Sequence, residues 1–266
     1  MRHVLGGFLL LATVWFPSGV AEASPPRPTC QGRPATIVGT SHHISGTAGD
    51  DVIVVAVDEG ITYIRARGGD DLVCGGDGHD YLYDGKGHDR FYGGAGQDFL
   101  EQGSVERDVF DGGPGFDAVD YAGRTEDQYV NLRNEKADDG APGEHDRLIS
   151  VGSVYTGSGN DVLLGGDEPN TDGHRFPSFS AYYLFGGPGD DRIVGGPLGD
   201  YISGGPGVDV ISARGGRDFI DSTDDTGIDG FPVFADQVDG GQDSEDDVAI
   251  CDELDMIRNV SDTRGC

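Results

Sequence analysis

Residues 75–101 read Gly75-Gly76-Asp77-Gly78-His79-Asp80-Tyr81-Leu82-Tyr83, then Asp84-Gly85-Lys86-Gly87-His88-Asp89-Arg90-Phe91-Tyr92, then Gly93-Gly94-Ala95-Gly96-Gln97-Asp98-Phe99-Leu100-Glu101. Each nine-residue unit places an Asp at its sixth position and an apolar residue at its eighth. The preceding five residues are dominated by glycine. The same phase extends outward in both directions, with anchors at Asp51, Asp71, Asp80, Asp89, Asp98, Asp108, Asp117, Asp161, Asp191, Asp200, Asp209 and Asp218. Two residues after these anchors stand Ile53, Val73, Leu82, Phe91, Leu100, Phe110, Val119, Leu163, Ile193, Ile202, Ile211 and Ile220, all of them apolar. Two residues before the anchor, only Glu106 and Leu198 replace glycine.

This repeat explains a composition that is otherwise hard to place. The 266 residues carry a formal charge of −30, with 47 glycines, and the 48 acids divide into 38 Asp and 10 Glu. Such a chain does not suit nucleic acid or an anionic lipid surface, which require Lys and Arg patches. High charge with abundant glycine ordinarily indicates disorder. Generic solvation, however, would use Glu as freely as Asp. The skew says that a short carboxylate is wanted beside glycine.

A three-residue strand with one inward apolar side chain cannot bury that side chain alone, but stacked coils turn the side chains into a continuous core. Two units make an 18-residue coil, so turns 18 residues apart lie one above another at roughly 4.8 Å. Asp71 then lies over Asp89, Asp80 over Asp98, Asp191 over Asp209, and Asp200 over Asp218. Stacked carboxylates repel unless a cation intervenes. Ca²⁺ takes six to eight oxygens and mixes carboxylates with backbone carbonyls, whereas zinc and copper prefer His and Cys. The phased unit Gly-Gly-x-Gly-x-Asp-x-apolar-x resembles the nonapeptide of hemolysin-type, repeats-in-toxin (RTX) calcium-binding proteins. The resemblance covers about residues 46–221. It implies an all-β parallel β-roll, or β-helix solenoid, of secreted bacterial type. Its metal ligands would be the twelve anchor aspartates, holding roughly six to eight Ca²⁺ ions.

The remaining segments are read around the roll. Residues 1–23 look like a secretory signal: a short basic start, an apolar run from Val4 to Phe16 that is too short to span a membrane, and Ala21-Glu22-Ala23 as the cleavage site. This predicts a secreted, extracellular protein with no membrane span. Residues 24–45 form an N-terminal cap that includes a strand over Ala35 to Val38. The first array spans 46–120 and the second 156–221. Between them, 121–155 lacks the glycine rhythm and reads as spacer strands around Tyr129 to Leu132 and Arg147 to Ile149. An excursion at 167–185 holds Phe176, Phe179, Tyr182, Tyr183 and Phe185, a satellite cluster or a contact patch for a cell-surface glycan or protein partner. Residues 222–266 read as an acidic C-terminal cap. Four cysteines in an exported chain suggest two disulfides. Along a continuous roll, Cys74 and Cys251 would lie roughly 40 Å apart, too far for a bond. That leaves Cys30–Cys74 and Cys251–Cys266.

No zinc-protease helix, nucleophile elbow, phosphate loop or dinucleotide fingerprint is present, so the sequence points to no enzyme. The expected function is calcium binding that drives folding, in a structural, surface or adhesion role. The alternatives are a secreted β-helix hydrolase or lyase using acids of the 121–185 region, or a small toxin or partner-binding module.

Overall fold

The computed structural model describes residues 26–56, 60–166, 182–223, 236–241, 247–251 and 254–264. The predicted signal at 1–23, most of the 167–185 excursion (with Phe176 and Phe179) and Cys266 lie outside these residues. The described elements are all strands. Apart from a short hairpin of Thr29–Cys30 with Arg33–Pro34, every paired strand runs parallel to its neighbours, as expected of a β-roll.

The register follows the repeat. Tyr81, Leu82 and Tyr83 pair with Phe99, Leu100 and Glu101, one coil further on. Arg192, Ile193 and Val194 pair likewise with Val210, Ile211 and Ser212. Each three-residue strand points its middle side chain inward, because alternate residues face opposite sides of a sheet. All twelve apolar residues that follow the anchors are sealed from solvent, none more than 1% exposed. They form one interior row with Ile64, Val130, Leu148, Val154, Leu184, Val238 and Ala249. At about 1.5–3 kcal/mol for each buried large aliphatic or aromatic side chain, this row is the main apolar contribution to stability.

The two faces of the roll differ. One is an unbroken eleven-stranded sheet that runs from His43–Ser45 to Asp262–Arg264. The opposite face consists of two six-stranded sheets, one ending at Arg147–Ile149 and the other beginning at Tyr129–Asn131. A single coil makes the division. The chain leaves the long face at Ala118–Asp120 and forms Tyr129–Asn131, which pairs with Val162–Leu164 further along the roll. It then doubles back to Arg147–Ile149, which pairs with Val109–Asp111, and rejoins the long face at Ser153–Tyr155. This coil therefore places two strands on the split face, one closing each half. We call it the junction.

Outward rings on the long face stack along the roll axis: His43 on Tyr63 and Tyr63 on Tyr81, each at 5.1 Å between centroids, and Tyr155 on Phe185 at 4.6 Å and 6°. The same stacking joins Tyr183 to Tyr201 and Tyr201 to Phe219. Parallel coils bring like residues together, and the ring faces are largely used on one another.

The N-terminal hairpin is fastened to the roll by the Cys30–Cys74 disulfide, with a Cα–Cα distance of 5.7 Å. Cys251 is also disulfide-bonded; its expected partner is among the residues not described. One local reading differs: the strand placed over Ala35 to Val38 lies at Ile37–Gly39, after an additional hairpin. In the acidic segment from 222 onward the described residues carry the strands of the roll further, at Gln237–Asp239, Val248–Ile250, Met256–Arg258 and Asp262–Arg264. Longer and less glycine-rich connections hide these coils from a glycine count, although their Asp-x-apolar core persists.

Candidate calcium-binding turns

The turn that leads into each strand begins with glycine for a steric reason. A Cβ on Gly75 would collide with both Asp80 Oδ2 and the carbonyl oxygen of Gly93 in the next coil. At Gly93 it would meet Asp98 Oδ2 and, at 2.8 Å, Gly112 O. Gly186 repeats the arrangement with Asp191 Oδ2 and Gly204 O, and Gly195 with Asp200 Oδ2 and Ala213 O. The first glycine of a unit thus keeps open a small space on which a carboxylate oxygen and a neighbouring coil's carbonyl oxygen converge. Gly78, with φ +119, supplies the left-handed bend that returns the chain toward the Asp.

The anchors form ladders along the edges of the roll. Along these ladders an anchor N–H donates to Oδ1 of the anchor one coil further on. Asp51 donates to Asp71 at 2.7 Å, Asp71 to Asp89 at 2.7 Å, Asp89 to Asp108 at 2.7 Å, and Asp108 to Asp146 at 2.8 Å. On the other edge Asp80 donates to Asp98 and Asp98 to Asp117. Beyond the junction, one ladder runs from Gln128 through Asp161, Asp191, Asp209 and Asp236 to Asp255. The other runs from Tyr182 through Asp200 and Asp218 to Asp247. The simple expectation of carboxylates facing one another across a cation is therefore refined. Where an anchor accepts a ladder bond, its Oδ1 is held by a backbone donor, and Oδ2 is the oxygen aimed into the turn; Asp51 and Asp80 begin their ladders, with Asp51 Oδ1 held by the Thr36 hydroxyl.

That second oxygen decides the chemistry. Oδ2 of Asp71, Asp80, Asp89, Asp98, Asp161 and Asp191 is buried and accepts no hydrogen bond. A buried carboxylate oxygen without a partner is costly, and the cost appears in the acidities. Burial pushes Asp71 and Asp80 up to about 6, and Asp89, Asp98, Asp191 and Asp200 up to about 7. Burial raises Asp161 as well. Among the described residues no group of three or more His, Cys, Asp or Glu side chains could hold a metal. The donor set in each turn is instead a carboxylate oxygen with backbone carbonyls, which suits a hard oxygen-seeking cation and not zinc or copper.

Three anchors differ from the rest. Asp51 Oδ2 accepts the Thr47 N–H at 2.7 Å and the Thr47 hydroxyl at 2.8 Å. Asp200 Oδ2 accepts the Gly196 N–H at 2.6 Å. Asp108 Oδ2 accepts from the Gln102 side-chain amide at 3.1 Å, and the same amide donates to Asp84 at 3.0 Å. Burial pushes Asp108 to about 9, with Asp146, Asp89 and Asp84 adding repulsion. Asp50, Asp70 and Asp190 lie on the exposed side and cap the backbone N–H of Asp70, His88 and Val208, respectively.

Several participants escaped the sequence reading. Asp146, Asp236, Asp247 and Asp255 are anchors, each with an apolar residue two positions later: Leu148, Val238, Ala249 and Ile257. That spacing was visible, but none of the four has glycine two or four residues before it. The junction also contains a buried ion pair, Arg124 with Glu144, whose side chains are 6% and 1% exposed. Beside it, the Tyr121 hydroxyl donates to Asp146 Oδ2 at 2.9 Å.

A family model described as the RTX calcium-binding nonapeptide repeat, in four copies, matches residues 65–100, 153–171 and 185–220. The chain carries RTX calcium-binding nonapeptide repeats. The matched residues include nine of the twelve aspartates singled out above: Asp71, Asp80, Asp89, Asp98, Asp161, Asp191, Asp200, Asp209 and Asp218. No curated protein matched the chain.

Proposed function

We propose that this chain is an exported calcium-binding β-roll whose two arrays fold when Ca²⁺ enters their turns. The observation that carries this reading is the set of buried Oδ2 atoms without hydrogen-bond partners, in Asp71, Asp80, Asp89, Asp98, Asp161 and Asp191. Each would contribute to a calcium shell completed by carbonyl oxygens of its own and the adjacent turn. Asp117, Asp200, Asp209 and Asp218 continue the same ladders. Asp51, Asp108 and Asp200, whose second oxygens already accept hydrogen bonds, are assigned to structural capping. This favours the lower end of the range of six to eight ions.

Calcium supplies positive charge where the chain has stacked negative charge, so its binding free energy becomes folding free energy. Export through residues 1–23 would deliver the chain to a calcium-rich exterior, where a folded roll serves a structural, surface or adhesive role. The acids of the junction do converge. Glu144, Asp146 and Asp139 are nevertheless interior and hydrogen-bonded, with no more than 4% exposure, which leaves them no approach for a hydrolase substrate. Elemental analysis of the dialysed full chain tests the reading. About six bound calcium ions per chain are expected; a calcium-saturated preparation that retains none would overturn it.

A further inference from the structure

We infer that the guanidinium of Arg124 is a resident cation that does in the junction turn what calcium does in the array turns. The inference rests on the calcium reading of the arrays. The turn before strand Tyr129–Asn131 is Gly123-Arg124-Thr125-Glu126-Asp127-Gln128, where an array unit would have Gly-Gly-x-Gly-x-Asp. It occupies an ordinary place in the stack. Gln128 N–H donates to Asp161 Oδ1 at 2.6 Å, as an anchor does. A Cβ on Gly157, the second glycine of the next unit, would collide with Arg124 O, as a Cβ on Gly94 would collide with Gly76 O.

What differs is the source of charge. The unit lacks the anchor carboxylate and places Arg124 at the second glycine position. The Arg124 side chain turns inward and is satisfied by oxygens: Glu144 Oε1 at 2.7 Å and Oε2 at 2.5 Å, Gln102 O at 3.3 Å, and Ser104 O. Gln102 and Ser104 belong to the turn that precedes Asp108. Their carbonyls thus engage the guanidinium, as turn carbonyls in the arrays are available to an ion. The cation also lies over the Tyr121 ring, 4.6 Å from its centroid. The surrounding carboxylates are served by protein donors: Asp108 and Asp84 by Gln102, Asp146 by Tyr121, and Glu144 by Ala141 N–H as well as Arg124. A planar, permanently charged guanidinium suits such a site because it brings several fixed donors to carboxylate and carbonyl oxygens at once. The junction is therefore a calcium-free rung between two calcium-dependent arrays.

The decisive variant rebuilds the unit. R124G, E126G and Q128D together give the glycines and the anchor of an array turn and leave Glu144 as a further carboxylate. Native mass spectrometry of the full chain in saturating calcium should show one more ion in this triple variant than in the parent. An unchanged ion count with a parent-like circular dichroism spectrum would overturn the inference. If the triple variant does not fold, R124M decides, read by hydrogen exchange in saturating calcium. Amides of 103–108 and 121–128 should exchange about tenfold to a hundredfold faster than in the parent while those of 185–220 are unchanged. Equal protection in 103–108 and 121–128 would contradict the role given to Arg124. A parent that binds no calcium would sink the reading of the arrays instead, and the R124M exchange measurement would still report on the turn.

Discussion

The turn at Asp191 and the junction turn at Arg124 occupy equivalent places two coils apart, yet they resolve the same electrostatic problem differently. In the first, glycine leaves a space into which Asp191 Oδ2 projects without a hydrogen-bond partner. In the second, an arginine fills the space and satisfies Glu144 directly. A turn of the first kind is incomplete without a mobile ion, and one of the second kind is complete as synthesised. On the proposed calcium reading, the fold requires positive charge at these edges more than it requires a particular source of it.

The largest single-residue effect should come from the row that both regions share. Phe91→Ala removes a ring that is wholly buried, on a residue paired in register with Phe110. It should cost about 3–5 kcal/mol and raise the calcium concentration needed for folding, as read from a denaturation series at fixed calcium. Next is the clasp. Replacing Cys30 and Cys74 together by serine should cost about 2–5 kcal/mol, because their bond closes a separation of 44 residues. The loss should appear first as exchange in the N-terminal coils, with residues 185–220 little affected.

Acidity sharpens the comparison in a different way. In an unfolded chain these aspartates ionise near 3.9. In the calcium-free roll, burial holds Asp71 and Asp80 protonated up to about 6, and Asp89, Asp98, Asp191 and Asp200 up to about 7. Between these limits the folded state binds more protons than the unfolded state. Its calcium-free stability is therefore greatest near pH 4 and falls as pH rises toward 7. Without calcium, the chain should show more β signal at pH 4 than at pH 7.5, and added calcium should matter less at the lower pH. A β signal that rises with pH in chelator would reverse the argument.

The smallest effects test the distinction between anchors. Asp191→Asn should remove an ion and shift the calcium midpoint upward by about tenfold, the loss of one charged ligand. Asp51→Asn and Asp108→Asn should leave the ion count as in the parent, because Thr47 and Gln102 already engage their second oxygens. Calorimetric titration of the three variants separates them.

Much of this architecture was legible in the sequence because the repeat makes the coil periodic. Asp98 and Leu100 in one coil determine what Asp117 and Val119 do in the next coil. The anchors at Asp236, Asp247 and Asp255 were harder to see, since their turns lack the glycines that mark the others. The junction was least legible. Glu144 lies twenty residues from Arg124 in the chain, and the two meet only because Tyr129–Asn131 and Arg147–Ile149 pair in opposite directions along the roll. No local pattern encodes that meeting. The ladder bonds to Oδ1 were likewise invisible, because repeat spacing gives the proximity of two aspartates but not which oxygen the backbone takes.

The central claim is that the arrays need calcium to become the roll. Far-ultraviolet circular dichroism of the chain at pH 7.5, titrated with Ca²⁺ after exhaustive chelation, tests it most directly. The account expects a spectrum dominated by unfolded chain in chelator that converts to a β spectrum at millimolar calcium and reverts on renewed chelation. A chelated chain that already shows the full β spectrum, unchanged by calcium, would contradict it.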